Sequence, residues 1–397
     1  MPGQTTVPFL PKVVLIVTPL LLVTAGLLVY QNKPWESVTD RAQRLCSGCG
    51  LSAEEIVGLI DTFRGVDRAW AKDSFYAQFD NPRDTELCEP CAEAILDASS
   101  SHPDRYHVAA PTPIPECRSL LGRPLFANPP GDRKVLEANL AAARDALAAN
   151  PNDPDHVLWV GRRLGYLWRM NEAVDTFTQG IAEFPAYAAF YRHRGHRYIS
   201  LRQFDEAIVD LERAAELIRS HADTVEPDGM PNALNVPLTT LGFNVWYHLG
   251  LARYLKGDYE GALAAYRETM NYLGGHDDNL VAVLDWSYMT LRRLGRDDEA
   301  RSLAERVPPD MRMIENRAYH RRLLMYQGLL RADDLLADEG ASELDLATYG
   351  YGVANWYFCN GDVDKAHAIF QRVVAGRNWP AFGFIAAEAD LARDSGG

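Results

Sequence analysis

Small and large apolar positions keep a fixed step along much of this chain. Gly161 and Gly195 lie 34 residues apart, as do Ala173 and Ala207, and Phe177 and Leu211. In each set the alanine is followed four positions later by a large apolar residue, the spacing of one helix face. The pattern predicts helix pairs stacked in series, one over 154–187 and the next over 188–221. The phase then slips. Gly250 lies 55 residues after Gly195, one period plus 21. The surplus falls in Arg219–Pro237, which carries Pro227, Gly229 and Pro231 and reads as an insertion over 219–237. The step resumes with Gly250, Ala262 and Tyr266, passes Ala300, and reaches a degenerate fifth unit over 313–337. A sixth unit carries Ala354, Ala366 and Phe370, and a helix over 381–393 reads as a terminal cap. A lone helix over 135–149 precedes the first pair. No pair buries its apolar face alone, so stacking must supply the core.

Upstream the pattern changes. Residues 1–12 are a short tail ending in Lys12. Val13 to Tyr30 then runs for 18 residues without a charge. That length suits a bilayer crossing of about 30 Å and exceeds the roughly 7–15-residue core of a cleaved signal. We expect an uncleaved, single-pass anchor with the soluble body outside the cytoplasm, although Lys33, Arg41 and Arg44 beyond it offset Lys12 and the charge rule does not fix the orientation. Residues 35–100 read as a helical module, with Ser52 and Glu55 opening one helix as a capping box. Residues 101–134 are proline-rich and read as an extended linker carrying Cys117.

The 34-residue step, with Gly161, Ala173 and Phe177 in fixed order, resembles the tetratricopeptide-repeat superfamily over about 260 residues. The fold expected is therefore all-α: a tetratricopeptide-type α-solenoid over 135–397, preceded by the small Cys-containing helical module and an N-terminal transmembrane helix. The resemblance implies a right-handed superhelix whose first helices line a concave groove that binds a protein or peptide. It places Arg162, Arg192, His196, Asn244, Tyr247, Asp285, Arg321, Tyr351 and Asn355 in that groove, with Met289, Arg292 and Arg317 beside them. Arginine suits bidentate recognition of carboxylates, and tyrosine gives contact area at small entropy cost. The family's chaperone-binding members clamp a carboxylate with Lys and Asn. Here Arg192 and Arg162 stand at the basic positions and His196 replaces the Asn, which argues against a chaperone tail.

Charge narrows the partner. The chain has 54 acidic and 40 basic residues, a net −14, which argues against nucleic acid. Cys46 and Cys49 form one CxxC pair, Cys88 and Cys91 a second. Two such pairs fit disulfide staples outside the cytoplasm or a structural zinc within it. A redox dithiol is the third reading, since Cys88 begins a helical stretch. The anchor, the Cys46 motif and the repeats together loosely resemble the thiol-handling subunits of cytochrome c maturation, which sets a thiol, metal or haem accessory role as the alternative function. Cys359 reads as a small buried hydrophobe. His193, His196 and His248 recur on one face but lack a metal-binding spacing. We find no phosphate loop, nucleophile elbow or dinucleotide glycines, and expect a non-enzymatic scaffold without a cofactor, structural zinc aside.

Overall fold

The chain divides into two units, Met1–Pro113 and Ile114–Gly397. The computed structural model describes residues 114–337 and 343–395. The expected anchor over 13–30 and the module over 35–100, with Cys46, Cys49, Cys88 and Cys91, lie outside the described residues. Among the described residues no helix is long and apolar enough to cross a membrane.

The described unit opens with a short antiparallel hairpin, β1 (Cys117–Arg118) and β2 (Pro124–Leu125). A lone helix follows, α1 (Arg133–Ala149), then the pairs α2 (Pro154–Tyr166) with α3 (Met170–Glu183) and α4 (Ala188–Ser200) with α5 (Phe204–Ile218). After the insertion come α6 (Leu241–Lys256) with α7 (Tyr259–Thr269), and α8 (Asp277–Arg293) with α9 (Asp297–Ala304). The last pairs are α10 (Arg317–Tyr326) with α11 (Ala332–Leu336) and α12 (Glu343–Cys359) with α13 (Val363–Ala375), before α14 (Phe382–Ser395). The array is a series of helix pairs stacked on one another.

The small-to-large rhythm is a packing rule between the two helices of a pair. A Cβ at Gly161 would lie 2.3 Å from the Phe177 ring, one at Gly250 2.5 Å from the Tyr266 ring, and one at Gly195 2.8 Å from Leu211 Cγ. Such distances admit no side chain, so the glycine is what lets the helices meet. Phe177, Leu211 and Tyr266 are buried as a result, as are Ala173, Ala207 and Ala262. In the fourth pair the sizes exchange. Tyr288 stands at the glycine position and Ala304 at the large one, both buried, and Tyr288 stacks on Tyr326 of α10 at 3.9 Å.

Each pair turns through a residue in the left-handed region. Gly257, Gly295, Gly328 and Gly361 take that place in the later pairs, but Trp168 (φ 59°) and Arg202 (φ 66°) take it in the first two. A non-glycine residue there costs about 1–2 kcal/mol. Both side chains reach the C-terminal segment. Trp168 packs edge-on against Trp379 at 5.4 Å, and Arg202 pairs with Glu388 of α14 at 2.9 Å and donates to the Trp379 carbonyl at 3.0 Å. The strain persists because these long-range contacts over-determine it.

Helix α14 does not merely end the stack; it packs on α12, α13 and α6. Asp390 accepts from Arg293 of α8 at 2.6 Å and from Tyr351 of α12 at 3.1 Å, and Arg393 donates to the Leu255 carbonyl of α6 at 2.9 Å. The hairpin clasps the same region. Trp379 donates to the Phe126 carbonyl at 2.9 Å, Arg123 to the Val374 carbonyl at 2.7 Å, and Asn171 of α3 to the Glu116 carbonyl at 2.8 Å. The described part of the proline-rich stretch is thus docked on the array, with Leu125 buried.

Candidate functional site

The first helices α2, α4 and α6 bring Arg162, Arg192, His196 and Asn244 around one cavity of about 190 Å³. Across it lies the insertion. Its segment 224–229 is held like a strand: Glu226 N donates to the Thr239 carbonyl and Leu241 N to the Thr224 carbonyl, both at 2.9 Å. Helix α2 grips its backbone, with Arg162 Nη2 donating to the Pro227 carbonyl at 2.7 Å and Arg163 Nη1 to the Gly229 carbonyl at 2.8 Å.

The Glu226 carboxylate is the centre of this contact. Asn244 Nδ2 donates to Glu226 Oε2 at 3.0 Å and to Thr239 Oγ1 at 2.8 Å. Arg192 Nε lies 3.2 Å from Oε2 and His193 Nε2 3.0 Å from Oε1. Both approach obliquely, so that neither nitrogen makes a well-formed hydrogen bond. Arg192 Nη1 also lies 2.9 Å from His193 Nδ1. A neutral His193 that accepts at Nδ1 from Arg192 carries its proton on Nε2, on the side of Glu226 Oε1. Burial, then the charge of Arg192, push this imidazole down to about 3. Burial alone would raise the Glu226 carboxyl, but Arg192 and its neighbours outweigh it and hold the group well below the usual carboxylate range.

Much of the rest of the expected groove is interior, although Arg317 is exposed and Arg292 and Arg321 are half-buried. Tyr351 is fully buried and its hydroxyl meets that of Tyr254 at 2.7 Å; Asn355 accepts from Arg293 at 2.6 Å. Asp285 is also fully buried and pairs with Arg322 of α10 at 2.8 Å. Tyr247 is buried with its hydroxyl 3.4 Å from that of Tyr319. Arg321 packs its guanidinium over the Tyr349 ring, 5.4 Å from the centroid. His196 and His248 lie with ring centroids 4.4 Å apart and planes tilted by 42°, and the Phe382 ring of α14 lies 5.3 Å from that of His196. Arg162, Arg192, His196 and Asn244 therefore form one site, while Tyr247, Asp285, Tyr351 and Asn355 belong to the core that α14 and α10 complete. Sequence reasoning did not single out Glu226, Arg197 or Glu388. The prolines marked the insertion, but nothing in its local pattern shows which carboxylate turns inward. The absence of glycine at Trp168 and Arg202 was a readable sign of a special turn.

The first helices of this helix-pair array thus hold a segment of their own chain. No protein-family model matches the chain. It is similar to the Small glutamine-rich tetratricopeptide repeat-containing protein 2 of Saccharomyces cerevisiae, 24% identical over 140 residues, which cover 35% of this chain and 33% of that protein. The match thus spans about a third of that relative's length. Among solved structures, YrrB, described as a TPR protein with an unusual peptide-binding site, aligns over 64% of this chain and 99% of its own, at 16% identity and a TM-score of 0.35. A crystal structure of an APC/C hetero-tetramer aligns over 89% of this chain and 59% of its own, at 13% identity and a TM-score of 0.29.

Proposed function

We propose that this chain is a membrane-tethered, non-enzymatic scaffold whose α2–α4–α6 face binds an extended, acidic segment of a partner protein. The observation that carries the reading is the insertion itself. Its residues 224–229 already lie on that face as an extended peptide, held through backbone carbonyls by Arg162 and Arg163 and through a carboxylate by Arg192 and Asn244. The surface that accepts this segment has the chemistry to accept another like it. On its far side a second cavity of about 460 Å³ runs past Leu158, Trp159, Leu217, Ile218 and Tyr272, which offers apolar contact for neighbouring side chains. The tether is the uncharged stretch over 13–30, with the body outside the cytoplasm and the two CxxC pairs as disulfide staples or a structural zinc.

Mild crosslinking in the native membrane followed by purification tests this reading. It should recover a stoichiometric partner, and Arg192→Ala or Arg162→Ala should lose it while the helical content stays unchanged. A partner retained by both folded variants contradicts the groove assignment. Counting thiols and zinc on the same preparation separates the readings of the cysteines.

A further inference from the structure

The cavity beneath the insertion holds more positive charge than its occupant balances. Arg162 and Arg192 are both more than nine-tenths buried, and Arg197 lines the same space. Against these three guanidiniums the insertion places one buried carboxylate, that of Glu226. His193 and His196 add no further positive charge, since burial keeps both imidazoles neutral. Asp228 and Glu315 sit at the mouth and are exposed, so water screens them.

The donors are also left over. Arg162 Nε has no hydrogen-bond partner, and Arg192 Nε reaches Glu226 only obliquely. Among the described residues the hydrogen bond of the Arg197 guanidinium is a 3.7 Å contact from Nη1 to the thioether of Met170. Burial and the nearby Arg192 and Arg162 push Arg197 down to about 10, so it stays charged at neutral pH. Unpaired buried charges are costly. A volume of about 190 Å³ is several times the ~30 Å³ share of one water in the liquid.

We propose that this cavity binds a doubly charged oxyanion, a phosphate group, between Arg162, Arg192 and Arg197. Two charges match the excess that Glu226 leaves, and a tetrahedral oxyanion offers acceptors to guanidiniums arriving from α2 and α4. A monocarboxylate brings one charge and leaves the imbalance. In its setting this rests on the groove reading: the partner segment carries the phosphate as a phosphorylated side chain beside the insertion.

The test is titration of the full-length chain at about pH 7.5, where a phosphomonoester carries nearly two charges, with inorganic phosphate, phosphoserine and acetate in separate runs. Saturable binding of phosphate or phosphoserine, at least about tenfold tighter than acetate, is expected. Tighter phosphoserine than phosphate marks the phosphorylated side chain as the source; the reverse marks the free ion. Arg197→Met should weaken binding about tenfold, and Glu226→Gln, which removes a like charge without removing a donor, should strengthen it. The second variant decides the matter if the first does not fold. Acetate binding as tightly as phosphate, or Glu226→Gln leaving phosphate affinity unchanged or weaker, overturns the proposal. Phosphate binding with a partner indifferent to Arg192→Ala leaves this site standing and removes the groove reading; the opposite pattern does the reverse.

Discussion

Arg202 Nε donates to Glu388 Oε2 at 2.9 Å, joining the turn of the second helix pair to the last helix across 186 residues of sequence. Both side chains are almost wholly buried. Removing one partner leaves a buried charge alone. Arg202→Met should therefore cost about 3–5 kcal/mol, and Arg202→Met with Glu388→Met should recover most of it. Urea unfolding of the two variants and the parent checks this; a loss under about 1 kcal/mol in the single variant would show that α14 is not held by this pair.

The packing of glycine against a large residue makes a second prediction. Gly161→Ala sets a methyl 2.3 Å from Phe177 and should destabilise the first pair by about 1–3 kcal/mol through overpacking. Phe177→Leu in the same chain should relieve part of that loss. If Gly161→Ala leaves the unfolding midpoint unchanged, α2 and α3 are free to part there at no cost.

Stability should fall on mild acidification. His193 is held down to about 3, and burial holds His196 and His248 well below the ordinary range. Below about pH 6.5 each takes up a proton on unfolding, so the unfolded state binds more protons and stability drops by up to about 1.4 kcal/mol per pH unit for each. Glu226, depressed in the fold, adds a further loss only at lower pH, where the unfolded carboxyl protonates first. Asp285, pushed up by burial to about 7, acts in the opposite direction, as do the carboxyls of Glu116, Asp210 and Glu315, which burial also raises, so these offset part of the loss from the three histidines. Tm should therefore fall steeply between about pH 7 and 5. A level Tm over that range would mean that the histidines are solvated.

The two cysteines of the described residues should be sluggish. Burial pushes the Cys117 thiol up to about 11 and raises that of Cys359. Only the thiolate is a good nucleophile, so iodoacetamide at neutral pH should leave both unmodified in the native chain and label both in urea. Peptide mass spectrometry reads the difference directly.

How much of this could be read from sequence depends on the distance of each contact along the chain. The Gly161–Phe177 rhythm is written within one pair and repeats, so the array and the break after α5 are visible. The fifth pair is short, with α11 spanning only Ala332–Leu336, and leaves little periodicity to detect. The register that assigned Arg162, Arg192 and Asn244 to the first helices finds them on one face. The residues that cover the first helices come from elsewhere: Glu226 of the insertion meets Asn244, Phe382 of α14 lies beside His196, and Asp390 of α14 accepts from Tyr351. Local patterns carry no record of such partners, and for that reason Tyr351 and Asp285 read as groove positions although they are interior.

If the α2–α4–α6 face recognises an extended acidic segment, and residues 224–229 occupy it, that segment should also bind when supplied in trans. In the full-length chain, residues 224–229 are exchanged for a Gly-Ser run of equal length, and a labelled peptide of natural sequence 222–237 is titrated by fluorescence anisotropy. A tethered segment competes at an effective concentration on the order of millimolar. We expect saturable binding with Kd below about 1 mM to the exchanged chain, at least about tenfold weaker binding to the parent, and loss on adding Arg192→Ala. No binding to the exchanged chain, or binding indifferent to Arg192, would show that this face does not recognise such a segment.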